Sequence, residues 1–212
     1  MANNVMFFPK LSRRKIEDYY SNRKNFYADY RSNYEKISED CQQRCVYCDI
    51  SVTEHGGDEM HLDHFRPQEH FEKLSTHPYN LHLSCPKCNG LKTSDWPCSK
   101  EDGALTFIGK IGYIDRFERH IDEFLMVEDT GHITALAGPV EYMIKKMHLN
   151  RSSRVNIRRK RLIEHRKTRT LEGILRLTQY LTTAEVEGRL TKEQTLERRK
   201  QIDALLLSYS NL

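Results

Sequence analysis

Two short cysteine pairs, Cys45-Val46-Tyr47-Cys48 and Cys85-Pro86-Lys87-Cys88, constrain this chain more than any other feature. Four thiolates about 2.3 Å from one ion satisfy tetrahedral Zn²⁺ and leave no position open for water. Such a site is structural: the ion binds only the folded arrangement, so its binding free energy becomes folding free energy. The 36 residues between the pairs exceed zinc-ribbon spacing. Something compact must therefore be inserted between the two halves. The bland alternative is two unrelated pairs of buried cysteines. A redox dithiol fits poorly, because two pairs occur without βαβ patterning. Cys41 and Cys98 fall outside the pattern and read as spare thiols, or at most as an alternative ligand.

Reading the thiols as metal ligands requires a reducing compartment. The first residues lack an apolar stretch of signal-peptide length. The longest purely apolar run near the C-terminus is Ala204 to Leu207, far short of the roughly 20 residues of a spanning helix. The expectation is a cytoplasmic protein. With 212 residues, of which 38% are hydrophobic, the chain suits one domain or a small module with an appendage, and it can bury an ordinary core.

Charge is unevenly spread around a net +4. Residues 151–212 hold 15 Lys+Arg and 7 Asp+Glu, and the preceding residues carry a net negative charge. Four zones follow. Residues 1–40 form an N-terminal helical segment, with Ile16, Tyr19, Tyr20, Phe26, Tyr27, Tyr30, Tyr34 and Ile37 near helical spacing over residues 10–40. That aromatic stripe reads as packing against the cysteine module, with a base-stacking platform as the alternative. Residues 41–100 hold the cysteine module. Residues 101–137 connect, with Phe124–Val127 and His132–Thr134 flanking the turn signal Asp129-Thr130-Gly131. Residues 138–212 form a basic helical region. Pro139 opens one helix, Arg151–Leu181 makes a long one, and a capping box at Thr191–Gln194 starts the last, backed by Leu196, Ile202, Leu205, Leu206 and Tyr209.

Between the knuckles lie Met60-His61-Leu62-Asp63-His64-Phe65-Arg66-Pro67 and Asn80-Leu81-His82-Leu83-Ser84. Met60, Leu62 and Phe65 interleave with polar residues, as do Leu81 and Leu83, so both segments read as short strands, and Lys87–Thr93 reads as a short helix. The product is strand, loop, strand, helix with zinc at its base. This arrangement suits phosphodiester hydrolysis, which needs a base for water and a Lewis acid at the leaving oxygen. A histidine titrates in the right range. A carboxylate and an amide oxygen suit Mg²⁺ or another hard divalent ion. Adjacent strand residues point to opposite faces, so Asp63 and His64 share a site only where the strand ends or bends. Asn89 would complete the metal site, and Lys92, one turn on, would stand near a phosphate.

The order C-x2-C, Asp-His, Asn-Leu, C-x2-C-Asn-x2-Lys over residues 41–97 resembles the HNH endonucleases, whose fold is the ββα-metal (His-Me) finger. The resemblance implies a mostly helical α+β protein in which a small ββα-metal finger with a four-cysteine zinc site is flanked by an N-terminal helix and a C-terminal helical region. It implies His64 as general base, Asp63 as ligand of a catalytic divalent ion, Asn80 as brace of the loop that orients the base, and Asn89 as second metal ligand. The family often has His at the last position, so which Asn binds the metal stays open. Among the remaining histidines, His61 reads as a strand residue, His82 as a holder of the loop, and His55, His70 and His77 as loop residues.

His64-Phe65-Arg66-Pro67, the Asn80–Cys85 segment and Met147-His148-Leu149-Asn150-Arg151 followed by Arg154 and Arg158 resemble, more weakly, the HNH effectors of Septu and certain retron antiphage systems. These act with an ATPase partner. Such a partner would be encoded separately, since this chain has no Walker-type loop. The expected function is a metal-dependent endonuclease acting on DNA. The alternatives are a stand-alone restriction or homing nuclease, and a non-catalytic zinc module binding nucleic acid or protein. The basic run Arg151–Arg169 reads as a phosphate-binding element, with Arg154, Arg158, Arg161 and Arg169 roughly along one face and Arg66 and Lys92 beside the site. A solvated face, or pairing with an acidic partner, is the alternative.

Overall fold

The computed structural model describes residues 6–21, 29–57 and 59–211. The chain divides into two compact units, Met1–Arg158 and Arg159–Leu212.

In the first unit, among the described residues of the segment 10–40 expected to be helical, the α-helix is α1 (Tyr34–Asp40). Short 3₁₀ turns at Ile16–Asp18 and Tyr30–Asn33 precede it. The aromatic stripe is not one helical face. Tyr19 is buried and its hydroxyl donates to Asp40, whereas Tyr20 is 62% exposed. Phe26 and Tyr27 lie outside the described residues.

The segment between the knuckles folds as strand, loop, strand, helix. Strand β1 (His61–His64) pairs antiparallel with β2 (Leu81–Ser84), with Asp63 opposite His82 and His64 opposite Leu81. Helix α2 (Pro86–Lys92) follows at once, with Pro86 in its first turn, where a missing N–H costs nothing. β2 is buried along its length. β1 is not patterned as its apolar residues suggest. Asp63 is buried and Leu62 is only half-buried, because the carboxylate has partners inside.

Residues 93–137 wrap this finger. Trp96 stands edge-on to Phe65 and Phe71 and stacks on Tyr113. Two small antiparallel pairs follow: β3 (Phe107–Ile108) with β4 (Ile111–Gly112), and β5 (Leu125–Val127) with β6 (Ile133–Ala135), the hairpin anticipated around Asp129–Gly131. Gly112 is required at the end of β4: its φ is +125°, and a Cβ there would sit 2.4 Å from the Thr106 carbonyl oxygen.

Helix α3 (Val140–Met147) starts after Pro139, buries Val140, Met143 and Met147, and ends at His148 in the left-handed region. Helix α4 (Ser152–Val186) is the long helix expected from the sequence. Helix α5 (Lys192–Ser210) begins with the capping box: Thr191 accepts from the Gln194 N–H and Gln194 accepts from the Thr191 N–H. Within the second unit, Ile174, Leu181 and Ala184 are buried, and Arg199 pairs with Glu185 at 3.0 Å. No residue of α5 is buried, so its apolar positions form no enclosed core. Among the described residues no helix is long and apolar enough to cross a membrane.

Candidate active site

The two knuckles come together. The sulfur atoms of Cys45, Cys48, Cys85 and Cys88 all lie within 4.8 Å of one another, and all four residues are buried. Cys48 Sγ and Cys85 Sγ are 3.7 Å apart. A disulfide needs about 2.05 Å, whereas the edge of a tetrahedron with arms of 2.3 Å is about 3.8 Å. The donor set and its spacing therefore fit one tetrahedral ion such as zinc. The first knuckle turns back on itself, with Cys45 N–H donating to Ile50 O and Asp49 N–H to Cys45 O. It hangs on β2 through Val46 N–H to Leu83 O. The second knuckle is the first turn of α2. Hydrogen bonds from Cys45, Cys48 and Cys88 push the Cys85 thiol down, whereas burial pushes Cys45 up. Cys41 is no part of it: burial raises its pKa to about 11, and its sulfur accepts from Leu83 N–H at 3.4 Å. Cys98 also stands apart, beside Ile111 O.

Each knuckle delivers a side chain to the strand between them. Tyr47, inside the first, donates its hydroxyl to Asp63 Oδ2 at 2.5 Å. Lys92, at the end of α2, sets its ammonium 3.1 Å from Asp63 Oδ2 and 3.3 Å from Oδ1, and donates to His64 O at 2.7 Å. Burial raises the Asp63 pKa, and the Lys92 charge opposes that rise. An ionised carboxylate inside a protein needs such partners.

His64 follows Asp63 at the last position of β1, where the strand can turn toward a shared cleft. Its Nε2–H donates to Ser75 O at 2.7 Å, which leaves Nδ1 as the basic nitrogen. The loop carrying that carbonyl is held by Asn80, whose side chain ties the start of the loop at Arg66 to Leu74 within it. Asn80 Oδ1 accepts from Arg66 N–H at 2.8 Å, and Nδ2 donates to Arg66 O and Leu74 O. His82 supports the same loop from below by stacking on Phe65 at 4.7 Å. Burial holds His82 well below the ordinary imidazole range. Asn89, on α2, donates through Nδ2 to His61 Nδ1 at 3.1 Å, leaving its amide oxygen as a hard donor. Asp63, His64 and Asn89 line one cleft of about 330 Å³.

The basic residues are placed differently from expectation. Lys92 is fully buried on Asp63 and cannot lie along a phosphate. Arg66 lies against the Phe71 and Trp96 rings and donates to Ala104 O at 2.6 Å, tying the loop to the following segment. Arg154 is 8% exposed and reaches Cys85 Sγ at 3.6 Å. Arg158 is 1% exposed and donates to Gly131 O, Leu149 O and Asn150 Oδ1. These guanidinium groups face the interior: Arg66 and Arg158 meet fixed oxygen acceptors, and Arg154 meets the Cys85 sulfur. Arg161 is half-buried. Sequence reasoning missed Tyr47 and Ser75. The one signal for Tyr47 was an aromatic residue enclosed by a knuckle, and a backbone carbonyl gives no signal at all.

No curated protein and no solved structure matches the chain. The family model described as HNH endonuclease matches residues 45–95, about a quarter of the chain. The match covers both knuckles, β1, β2 and α2, so the segment that builds this cleft is the segment similar to HNH endonucleases.

Proposed function

We propose that this chain is a metal-dependent endonuclease that hydrolyses DNA phosphodiester bonds, with His64 as general base. The observation that carries the reading is His64, with Nε2 committed to Ser75 O, lining one cleft with Asp63 and Asn89. His64 Nδ1 takes the proton of the attacking water. Asn80 fixes the loop whose carbonyl orients the ring, a role worth large factors when geometry must be exact to a fraction of an ångström. The Asp63 carboxylate, which also meets Lys92 and Tyr47, and the Asn89 amide oxygen would hold a catalytic divalent ion, Mg²⁺ or a similar cation. When bound, that ion supplies Lewis-acid stabilisation of the leaving oxygen. Lys92 and Tyr47 keep Asp63 ionised and aimed. The four-cysteine cluster would hold zinc, which would fasten the knuckle carrying Tyr47 to the helix carrying Asn89 and Lys92. Contacts to DNA phosphates come from exposed positions of the basic run, such as Arg159 and Arg169, with Arg161 beside them.

Within this reading the chain acts in the bacterial cytoplasm as an antiphage effector with a separately encoded ATPase. The support is the weaker resemblance around residues 147–158, together with exposed apolar side chains of the second unit, including Leu171, Leu175, Val186 and Leu207. The test is nicking of supercoiled plasmid by the purified chain with Mg²⁺ or Mn²⁺, with and without EDTA, beside His64→Ala. EDTA-sensitive nicking lost in the variant is the expected result. Salt-sensitive DNA binding without cleavage, alone or with the neighbouring gene product, would instead indicate a binding module.

A further inference from the structure

The basic run after residue 150 has the composition of a nucleic-acid element, yet its first members face the cysteine cluster. Arg151 brings one terminal nitrogen within 3.8 Å of Cys48 Sγ, 3.7 Å of Cys85 Sγ and 3.6 Å of Cys88 Sγ. Its other terminal nitrogen donates to the Met147 and His148 carbonyls at the end of α3. Arg154, one turn on, places a terminal nitrogen 3.6 Å from Cys85 Sγ. Arg154 Nε is buried with no hydrogen-bond partner, so its site is not set by saturating the guanidinium with ordinary acceptors. Among the described residues no carboxylate pairs with either group.

The charge explains the arrangement. Four thiolates around a dication leave a net charge of about −2. Such a charge in a buried site is costly unless it is compensated and hydrogen-bonded. Two guanidinium groups at N–H···S distance cancel it. We propose that Arg151 and Arg154 are the outer partners of the metal cluster: they hold the ion in its thiolate cage, and through them the ion holds the start of α4 against the finger. This rests on the zinc reading of the cluster.

The test begins with metal analysis of the purified wild-type chain. Absence of bound zinc would overturn the zinc reading itself. With zinc present, its release to the chelating dye 4-(2-pyridylazo)resorcinol is timed for wild type and for Arg151→Gln/Arg154→Gln. Loss of outer partners costs roughly 10- to 100-fold in metal retention, so release at least tenfold faster is expected from a variant that is folded by circular dichroism. Release at the wild-type rate overturns the proposal. Should the double variant fail to fold, Arg154→Lys and Arg154→Met are compared. Both keep the apolar stem and only the first keeps the charge. Slower release from the Lys variant supports charge compensation, and equal rates overturn it.

Discussion

The basic run of α4 contains two populations that composition alone makes identical. Arg154 and Arg158 are buried on thiolate sulfur and on backbone and side-chain oxygens, whereas Arg159, Lys160, Arg166 and Arg169 are exposed. The boundary between the two compact units falls at the same place, after Arg158. A guanidinium in water is a mobile charge worth little to the fold. The same group enclosed among fixed acceptors is part of the core, and removing it leaves those acceptors without partners. Charge content therefore identifies a candidate nucleic-acid surface only after burial has divided it.

Substitutions can sharpen or break that contrast between enclosed and exposed groups. The largest effect is expected in the cluster that the enclosed arginines face. Cys85→Ser removes one of four ligands, and structural zinc contributes on the order of 10 kcal/mol to small metal-dependent folds. The variant should lose zinc and cooperative melting together. Unchanged zinc content and melting temperature would refute a structural site. His64→Ala separates chemistry from stability inside the same finger. Cleavage should fall by about 10²- to 10⁴-fold, with zinc content and melting temperature kept, and nicking at the wild-type rate would remove His64 from the mechanism.

Arg158→Met keeps the stem and deletes the hydrogen bonds to Gly131 O, Leu149 O and Asn150 Oδ1. It should destabilise by about 2–4 kcal/mol in urea titration, and a change under about 0.5 kcal/mol would place Arg158 with the exposed group after all. His82 gives a pH signature. Its folded pKa is depressed while the unfolded histidine titrates near 6.5. The unfolded chain thus binds the extra proton, and stability is lost as pH falls below about 6.5, by at most about 1.4 kcal/mol per pH unit. Asp115, raised to about 6 by burial, works in the opposite sense and favours the folded state below that pH. His82→Phe should flatten the loss between about pH 6.5 and pH 6, relative to wild type. The smallest effect on stability belongs to Arg159→Gln/Arg169→Gln, expected within about 0.5 kcal/mol. If these residues meet DNA phosphates, the slope of log K against log salt should fall by about 2. An unchanged slope would assign the exposed charges to solvent.

Much of the finger was legible in the sequence, because its constraints are local or periodic. The knuckle spacing announced a four-sulfur cluster and Thr191–Gln194 a helix start, whereas Asn80 as brace of the loop was implied by the resemblance to HNH endonucleases. Tyr47 and Lys92 were not legible in their roles, since what fixes them is the buried Asp63 that both of them meet. The same cause misleads a reading of β1: alternation of Met60 and Leu62 suggests the inner face, but a carboxylate with two partners occupies it. Among the described residues before Tyr34, the expected helix gives way for a related reason. Tyr19 is tied to Asp40 and Tyr20 to Asn33 by hydrogen bonds across the segment, and such contacts outweigh weak helical propensity.

The sequence by itself determined which atoms could bind a metal, where helices and hairpins begin, and which short segment could host a histidine base beside hard ligands. These follow from spacing and from backbone chemistry, which act over a few residues. Only the tertiary structure decided which charges are used up inside. Whether Lys92, Arg66, Arg154 and Arg158 face solvent or a buried acceptor depends on side chains and carbonyls up to 69 positions away in the chain, and electrostatic worth is set by burial and partners rather than by residue type.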